Sequence, residues 1–425
     1  MRIRRFEWDQ PLDLAGRIRA WAASGQEALD VDSIRADVAA GGDAAVIELT
    51  ARYGAAGSAP PQLRVDKGEV AAALERVDPA LREALELAAV NVRAVAQAQV
   101  RREADPIELA QGQTVAIREV PVAAAGVYAP GGRAAYPSSV VMGCVPAVAA
   151  GVDRVAVASP PGPDGHLHPA TLAAAAVCGV REVYAMGGAQ AIFALADGTT
   201  SVDPVDVIAG PGNRWVQEAK RAVFGKVGID TLAGPSELML VAGHDTEPGW
   251  AALDLCAQAE HGADGLLVLA AVEEAVLEAI GSEVERVAAE RPTVTDAPLA
   301  TVQVDDLGDA VALSEALAPE HLQLMSEDAA ALAGHVTTAG CVFVGAASAT
   351  AFGDYAAGSN HILPTGGAGH YSGPLGPQTF RRRIANVSLP GAAAAALAPH
   401  VDALARAEGF PVHAESATAR ARRER

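Results

Sequence analysis

EVYAMGGAQAIFALADGTTSVDPVDVIAGPG, residues 182–212, contains two short β-branched runs, each closed by glycine and separated by an Ala-rich helical stretch. That is the rhythm of a β-α-β unit in a parallel sheet covered on both faces. Working outward, VAIREVPV (115–122), GVYAPGG (126–132), RVAVASPPG (154–162) and ELMLVAG (237–243) continue it. A second series follows with GLLVLAA from Gly265, TVQVDD from Thr301, HLQLMS from His321 and CVFVG from Cys341. The expected fold is α/β, with two doubly wound, incomplete Rossmann-like parallel sheets and helical extensions at both ends.

The chain has 425 residues, half of them hydrophobic, 20% charged, with 42 Gly and 26 Pro. On a prior of about 150 residues per domain it holds two large units plus extensions. The expected segments are a mainly helical 1–113, a Rossmann-like half at 114–235, a second half at 236–376 and a helical extension at 377–425. Helical periodicity runs from Pro79 to Leu87 and from Val90 to Val100, with a loop at 54–61. After Pro377, Phe380 to Val387 and the Ala-rich run to Ala407 read as helices, and Arg420 to Arg425 as a solvated basic tail.

A formal net charge of −20 repels phosphate backbones and argues against nucleic acid as a partner. Cys144, Cys178, Cys256 and Cys341 lack CxxC spacing and are expected as buried free thiols. The start, MRIRRFEWDQ, meets Glu7, Asp9 and Gln10 before any apolar stretch. No uninterrupted apolar run reaches the roughly 18 residues that a membrane span needs. A soluble cytoplasmic protein is expected.

Gly131-Gly132, Gly187-Gly188, Gly210-Pro211-Gly212 and Gly234-Pro235 are each read as ending an apolar run, so that four consecutive strand ends line one crevice, with Tyr128, Gln190, Asn213 and Ser236 beside them. Glycines at strand ends let a ligand approach the backbone, although ordinary turns need glycine as well. GPGNRW is not the dinucleotide fingerprint, because Trp215 stands where its last glycine belongs. A nucleotide site is suggested without being identified.

Gln258 and His261 stand at i and i+3 near the end of a helix from about Pro248, with Thr246 as expected N-cap. They share one face and suit a metal or a substrate, or else a solvated histidine. Asp354 and His361 fall on a glycine-hinged loop, and Glu320-His321 precedes a strand as either an acid–base pair or a surface pair. Asp254, on the helical face of His261, reads as solvated, and so do His166 and His168 in their Pro/Gly loop. Glu408 and His413 lie in a bland segment. The three lysines lack a carbonyl-chemistry motif and GxSxG is missing, so Ser236 reads as a ligand contact.

In order, GVYAPGGRAAYPSSVVMG, MGGAQAI, AGPGNRWV, AGPSE, QAEHG, PEHL, GDYAAGSNHILPT and AEGFPVH, from about residue 114 to 413, resemble the histidinol dehydrogenase family. These are NAD-dependent enzymes ending histidine biosynthesis. The resemblance implies one zinc per site on Gln258, His261, Asp354 and His413, a mixed N/O set that zinc accepts. It implies a homodimer, with Glu408 and His413 entering the partner's site. His321 is then the general base, Glu320 activates water, and Ser236, His361 and Glu408 join the metal ligands and His321 in binding L-histidinol. Tyr128, Gln190 and Asn213 line the NAD crevice. Glu408 and His413 favour histidinol over a small polar diol, and Glu320-His321 speaks against a non-catalytic binding protein.

Overall fold

The computed structural model describes residues 1–23, 29–54, 56–101, 105–132, 134–232 and 234–421. The chain forms two compact units, one of Met1–Gln99 with Val122–Phe380, the other of Val100–Pro121 with Arg381–Arg425.

The larger unit carries two parallel sheets. In the first, the strands run Glu182–Ala185, Arg154–Ser159, Ala124–Tyr128, Val207–Ala209, Gly228–Ile229 across the sheet. In the second the order is Arg2–Glu7, Pro298–Gln303, Leu266–Ala271, Glu237–Ala242, His321–Met325, Cys341–Val344. Apart from the N-terminal edge strand, both follow the doubly wound order 3-2-1-4-5, so each has a switch point beside its first strand.

Burial explains why these runs became strands. Glu237–Ala242 and Leu266–Ala271 are buried at every position, as expected where helices cover both faces. Met239 and Val241 pack into one apolar cluster with Leu14 and Ile18, while Leu238 and Leu240 pack into another with Leu255. That alternation is the two-residue period of a strand. On the first sheet Ala125 and Val127 face one cluster, Ala124 and Tyr128 the other.

Local chemistry sets the helix ends. Helix Pro248–Ala259 has proline in its first turn, and its cap is the Glu247 side chain accepting from the Gly249 N–H, not the expected Thr246. Thr246 Oγ1 instead bonds across to the Met325 carbonyl. Helix Leu307–Leu317 is capped by Asp306, whose side chain accepts from the Asp309 N–H, and stops at Ala318. Ala318, with φ of 45°, is the one non-glycine residue with positive φ among the described residues. His168 caps helix Pro169–Val177, its Nδ1 accepting from the Ala170 N–H, so it is a structural cap and not merely solvated.

In the smaller unit Thr114–Pro121 pairs antiparallel with Arg381–Ser388 over eight residues and with Ile107–Glu108, and helices Gly391–Ala407 and Pro411–Ala421 pack together. Two expectations are corrected here. Phe380–Val387 is not helical, because a full-register ladder with Thr114–Pro121 pairs its backbone. VAIREVPV accordingly belongs to this antiparallel sheet and not to the parallel one. The N-terminal region is helical from Pro11, as expected, but Arg2–Glu7 adds an edge strand in parallel with Pro298–Gln303. Residues 422–425 of the basic tail lie outside the described residues. Cys144, Cys178 and Cys256 are buried free thiols, and Cys341 is half-buried.

Candidate active site

A cavity of about 300 Å³ is lined by Pro130, Gly212, Ser236, Glu320, His321 and Asp354, among others. It lies where the carboxyl ends of the first sheet meet the amino ends of the second. Pro130 and Gly212 follow strands Ala124–Tyr128 and Val207–Ala209, whereas Ser236 and Glu320 directly precede Glu237–Ala242 and His321–Met325. The first sheet thus obeys the rule that ligands gather at carboxyl ends. The second presents its opposite edge, and its carboxyl ends at Gly243 and Ser326 form the far rim.

Glu320 and His321 are not a surface pair, being 6% and 3% exposed. His321 Nδ1 lies 3.0 Å from the Glu237 carbonyl oxygen and 3.4 Å from Glu320 Oε2. A carbonyl only accepts, so Nδ1 carries a proton, and in the neutral form of the ring the lone pair lies on Nε2. Nε2 is buried without a hydrogen bond, 3.5 Å from Asp354 Oδ1. Burial opposes a charged imidazole here, but the Glu320 and Asp354 carboxylates outweigh it and raise the His321 pKa well above its ordinary value. The site therefore favours proton capture. Asp354 is half-buried, and although desolvation opposes its charge, His321 and the more distant His361 and His261 hold it below the usual carboxylate range.

Asp354 stands on a short helix, Thr350–Tyr355, and not on the expected loop. Its backbone oxygen accepts from His361 Nδ1 at 2.8 Å, while His361 Nε2 lies 3.1 Å from Ser139 Oγ. Burial lowers the His361 pKa despite the nearby carboxylates, so the neutral ring accepts from the Ser139 hydroxyl. His261 lines the same cavity. Gln258 is buried, and its Nε2 has no partner. Asp254 is not simply solvated: its Oδ2 accepts from Gln323 Nε2 at 2.6 Å, and burial raises its pKa in spite of that bond. Among the described residues no three His, Cys, Asp or Glu side chains assemble a metal-holding group.

A neighbouring cavity of about 140 Å³ is lined by Ile34, Tyr53, Gly188, Gln190, Asn213 and Trp215, and Asn213 faces both cavities. Asn213 also caps helix Arg214–Val223, its Oδ1 accepting from the Val216 N–H. Tyr128 is buried behind this wall with its hydroxyl accepting from the Gly188 N–H at 3.1 Å, and burial pushes its pKa up to about 12. Glu408 and His413 belong to the smaller unit, where both are exposed and His413 stacks obliquely on Phe410.

Sequence reading missed Ser139 and Glu237. Ser139 lay within the quoted YPSS block, and Glu237 directly follows Ser236, but both act through partners distant in the chain.

Comparison with known proteins agrees with this layout. The sequence model of the histidinol dehydrogenase family matches residues 19–421. Histidinol dehydrogenase of Ruegeria pomeroyi is 44% identical over 410 residues, covering 94% of each chain. That of Synechococcus sp. is 44% identical over 381 residues, covering 88% of each. The crystal structure of histidinol dehydrogenase from Elizabethkingia anophelis superposes with a TM-score of 0.89 at 30% identity, covering 99% of this chain and 98% of the other.

Proposed function

The chain belongs to the histidinol dehydrogenase family, and from that premise we propose that it is the NAD-dependent, zinc-requiring oxidoreductase that converts L-histidinol to L-histidine through histidinaldehyde. The observation that supports this most is the buried Glu320–His321 pair, with an unpartnered imidazole nitrogen in a cavity between two Rossmann-like sheets.

Two oxidations are needed. In the first, His321 Nε2 takes the alcohol proton as the carbinol carbon gives up hydride, leaving the aldehyde. Glu320 and Asp354 stabilise the imidazolium so formed. Water must then add to the aldehyde, and in this reading Glu320 removes its proton. Once its first proton has passed to solvent, His321 takes a second as the hydrated aldehyde loses hydride and becomes the acid. NAD⁺ held at the crevice of Gln190 and Asn213, with Tyr128 bracing Gly188 behind it, would supply the hydride acceptor for each oxidation.

The residues fit a zinc ion. His261 and Asp354 face the cavity, and the carbonyl oxygen of the buried Gln258 amide would join them, a nitrogen and oxygen set suited to zinc. His413 completes it in this reading, contributed with Glu408 by the second subunit of a homodimer. Bound zinc would supply a template that orients the amino alcohol. Ser236 and His361 bind substrate polar groups, with Ser139 fixing the His361 ring. In this reading the enzyme works in the cytoplasm on a small molecule; among the described residues no helix is long and apolar enough to cross a membrane.

The test is turnover with L-histidinol and NAD⁺ before and after metal stripping. Two NADH per histidine, lost on stripping and restored by zinc, is the expected result. Absence of histidinol turnover by the zinc-loaded protein refutes the reading.

A further inference from the structure

Glu237 holds both members of the acid–base pair through its backbone. Its N–H donates to Glu320 Oε2 at 2.8 Å, and its carbonyl accepts from His321 Nδ1 at 3.0 Å. Whatever fixes Glu237 therefore fixes the tautomer and the aim of His321.

Its side chain is fixed by a residue more than two hundred positions away. Arg19, on helix Pro11–Ala22, donates from Nη1 to Glu237 Oε1 at 2.6 Å and from Nη2 to Oε2 at 3.2 Å, a two-pronged pair of the strong, directional kind. Gly366 N–H also donates to Glu237 Oε1, at 3.0 Å. Arg19 Nη2 reaches the Leu317 carbonyl at 2.5 Å as well. Leu317 precedes Ala318, whose left-handed backbone is unfavourable for an L-residue, and Pro319 then leads into Glu320. One guanidinium thus ties together the start of strand Glu237–Ala242 and the strained turn that delivers Glu320 and His321. Strain beside a site persists only where its surroundings hold it.

Arg19 is 27% exposed and lines a separate cavity of about 730 Å³, not the one that His321 and Glu320 face. We propose that Arg19 is a positioning residue for catalysis, setting the geometry of Glu320 and His321 through Glu237 and the Leu317 carbonyl. This rests on the reading of that pair as the acid–base machinery.

Two measurements on the full-length zinc-loaded protein test it. In Arg19→Met, kcat should fall roughly ten- to a hundredfold, the scale of an ångström-sized misplacement, while KM for histidinol and for NAD⁺ stays within about twofold. Arg19→Lys should recover part of kcat. Arg154→Met serves as control: Arg154 is equally exposed and pairs with Glu182 at the far, amino end of the first sheet, so its loss should lower the melting temperature without changing kcat. Independently of turnover, ¹⁵N-histidine NMR should show a hydrogen-bonded Nδ1 proton that vanishes in His321→Gln and shifts or broadens in Arg19→Met. An unaltered Nδ1 signal in Arg19→Met, or an unchanged kcat in the folded variant, overturns the proposal. Missing histidinol turnover in the unmutated protein would refute the functional reading alone, and the NMR comparison would still decide the positioning role.

Discussion

Lys220 and Asp230 form an ion pair whose side chains are 0% and 2% exposed, and together they hold both backbone groups of one residue. Lys220 Nζ donates to the Gly210 carbonyl at 3.0 Å, and Asp230 Oδ2 accepts from the Gly210 N–H at 2.8 Å. Gly210 needs such a clamp. Its φ is 124°, and a Cβ there would stand 1.9 Å from the Tyr128 carbonyl oxygen. The pair therefore shapes the Gly-Pro-Gly turn that presents Asn213. Lys220→Met strands a buried carboxylate and should cost about 3–5 kcal/mol in urea unfolding. The double variant Lys220→Met/Asp230→Leu should recover part of that loss while raising KM for NAD⁺.

His321→Gln should fold normally and bind histidinol, yet lose roughly 10² to 10⁴ in the rate of both oxidations, the usual worth of a positioned proton acceptor. Glu320→Gln should impair oxidation of supplied aldehyde more than oxidation of alcohol. Single-turnover NADH counts separate the two half-reactions, and equal losses in Glu320→Gln would remove its assignment to water activation.

If His413 serves the neighbouring subunit, His413→Ala and His321→Ala should each be nearly inactive alone but recover activity when unfolded together and refolded as mixed dimers. Metal analysis should find less zinc in His413→Ala and in Asp354→Ala. Mixtures that never exceed their parents would count against a shared centre.

Asp197 supplies a pH-dependent stability. Burial opposes its ionisation, but Arg35 and Lys226 hold its carboxyl below the ordinary value. A depressed carboxylate stabilises the fold fully above its unfolded pKa, and that stability fades as pH falls through the folded value. Asp197→Asn should therefore be less stable than the parent at pH 7, by no more than about 1 kcal/mol because all three groups are partly exposed. The gap should close toward pH 3, and urea titrations at the two pH values measure it. A gap that widens in acid would mean that the pair is not the cause.

The parallel sheets were legible because buried strands are continuous apolar runs and glycine marks where they end. Gln258 with His261, and Asp354 with His361, were legible because they are close in sequence. Arg381–Ser388 was not, since it leaves most of its side chains exposed and gains its conformation from a partner some 260 residues away in the chain. Strand identity there is decided by pairing more than by composition. Arg2–Glu7 hid for the same reason. Glu237 escaped notice because its backbone does the holding, and no residue type advertises that role. Asp254 reads as a solvated helix residue until the fold brings Gln323 beside it.

In the proposed reading the second sheet carries its acid–base pair at its amino edge, a strand length from its carboxyl end. There His244 and Glu327 face solvent 3.9 Å apart, at the exits of strands Glu237–Ala242 and His321–Met325. A fluorophore or surface tether attached at either position sits a full strand length from the reacting atoms. Tethering the protein by that rim should therefore leave its turnover of L-histidinol unchanged.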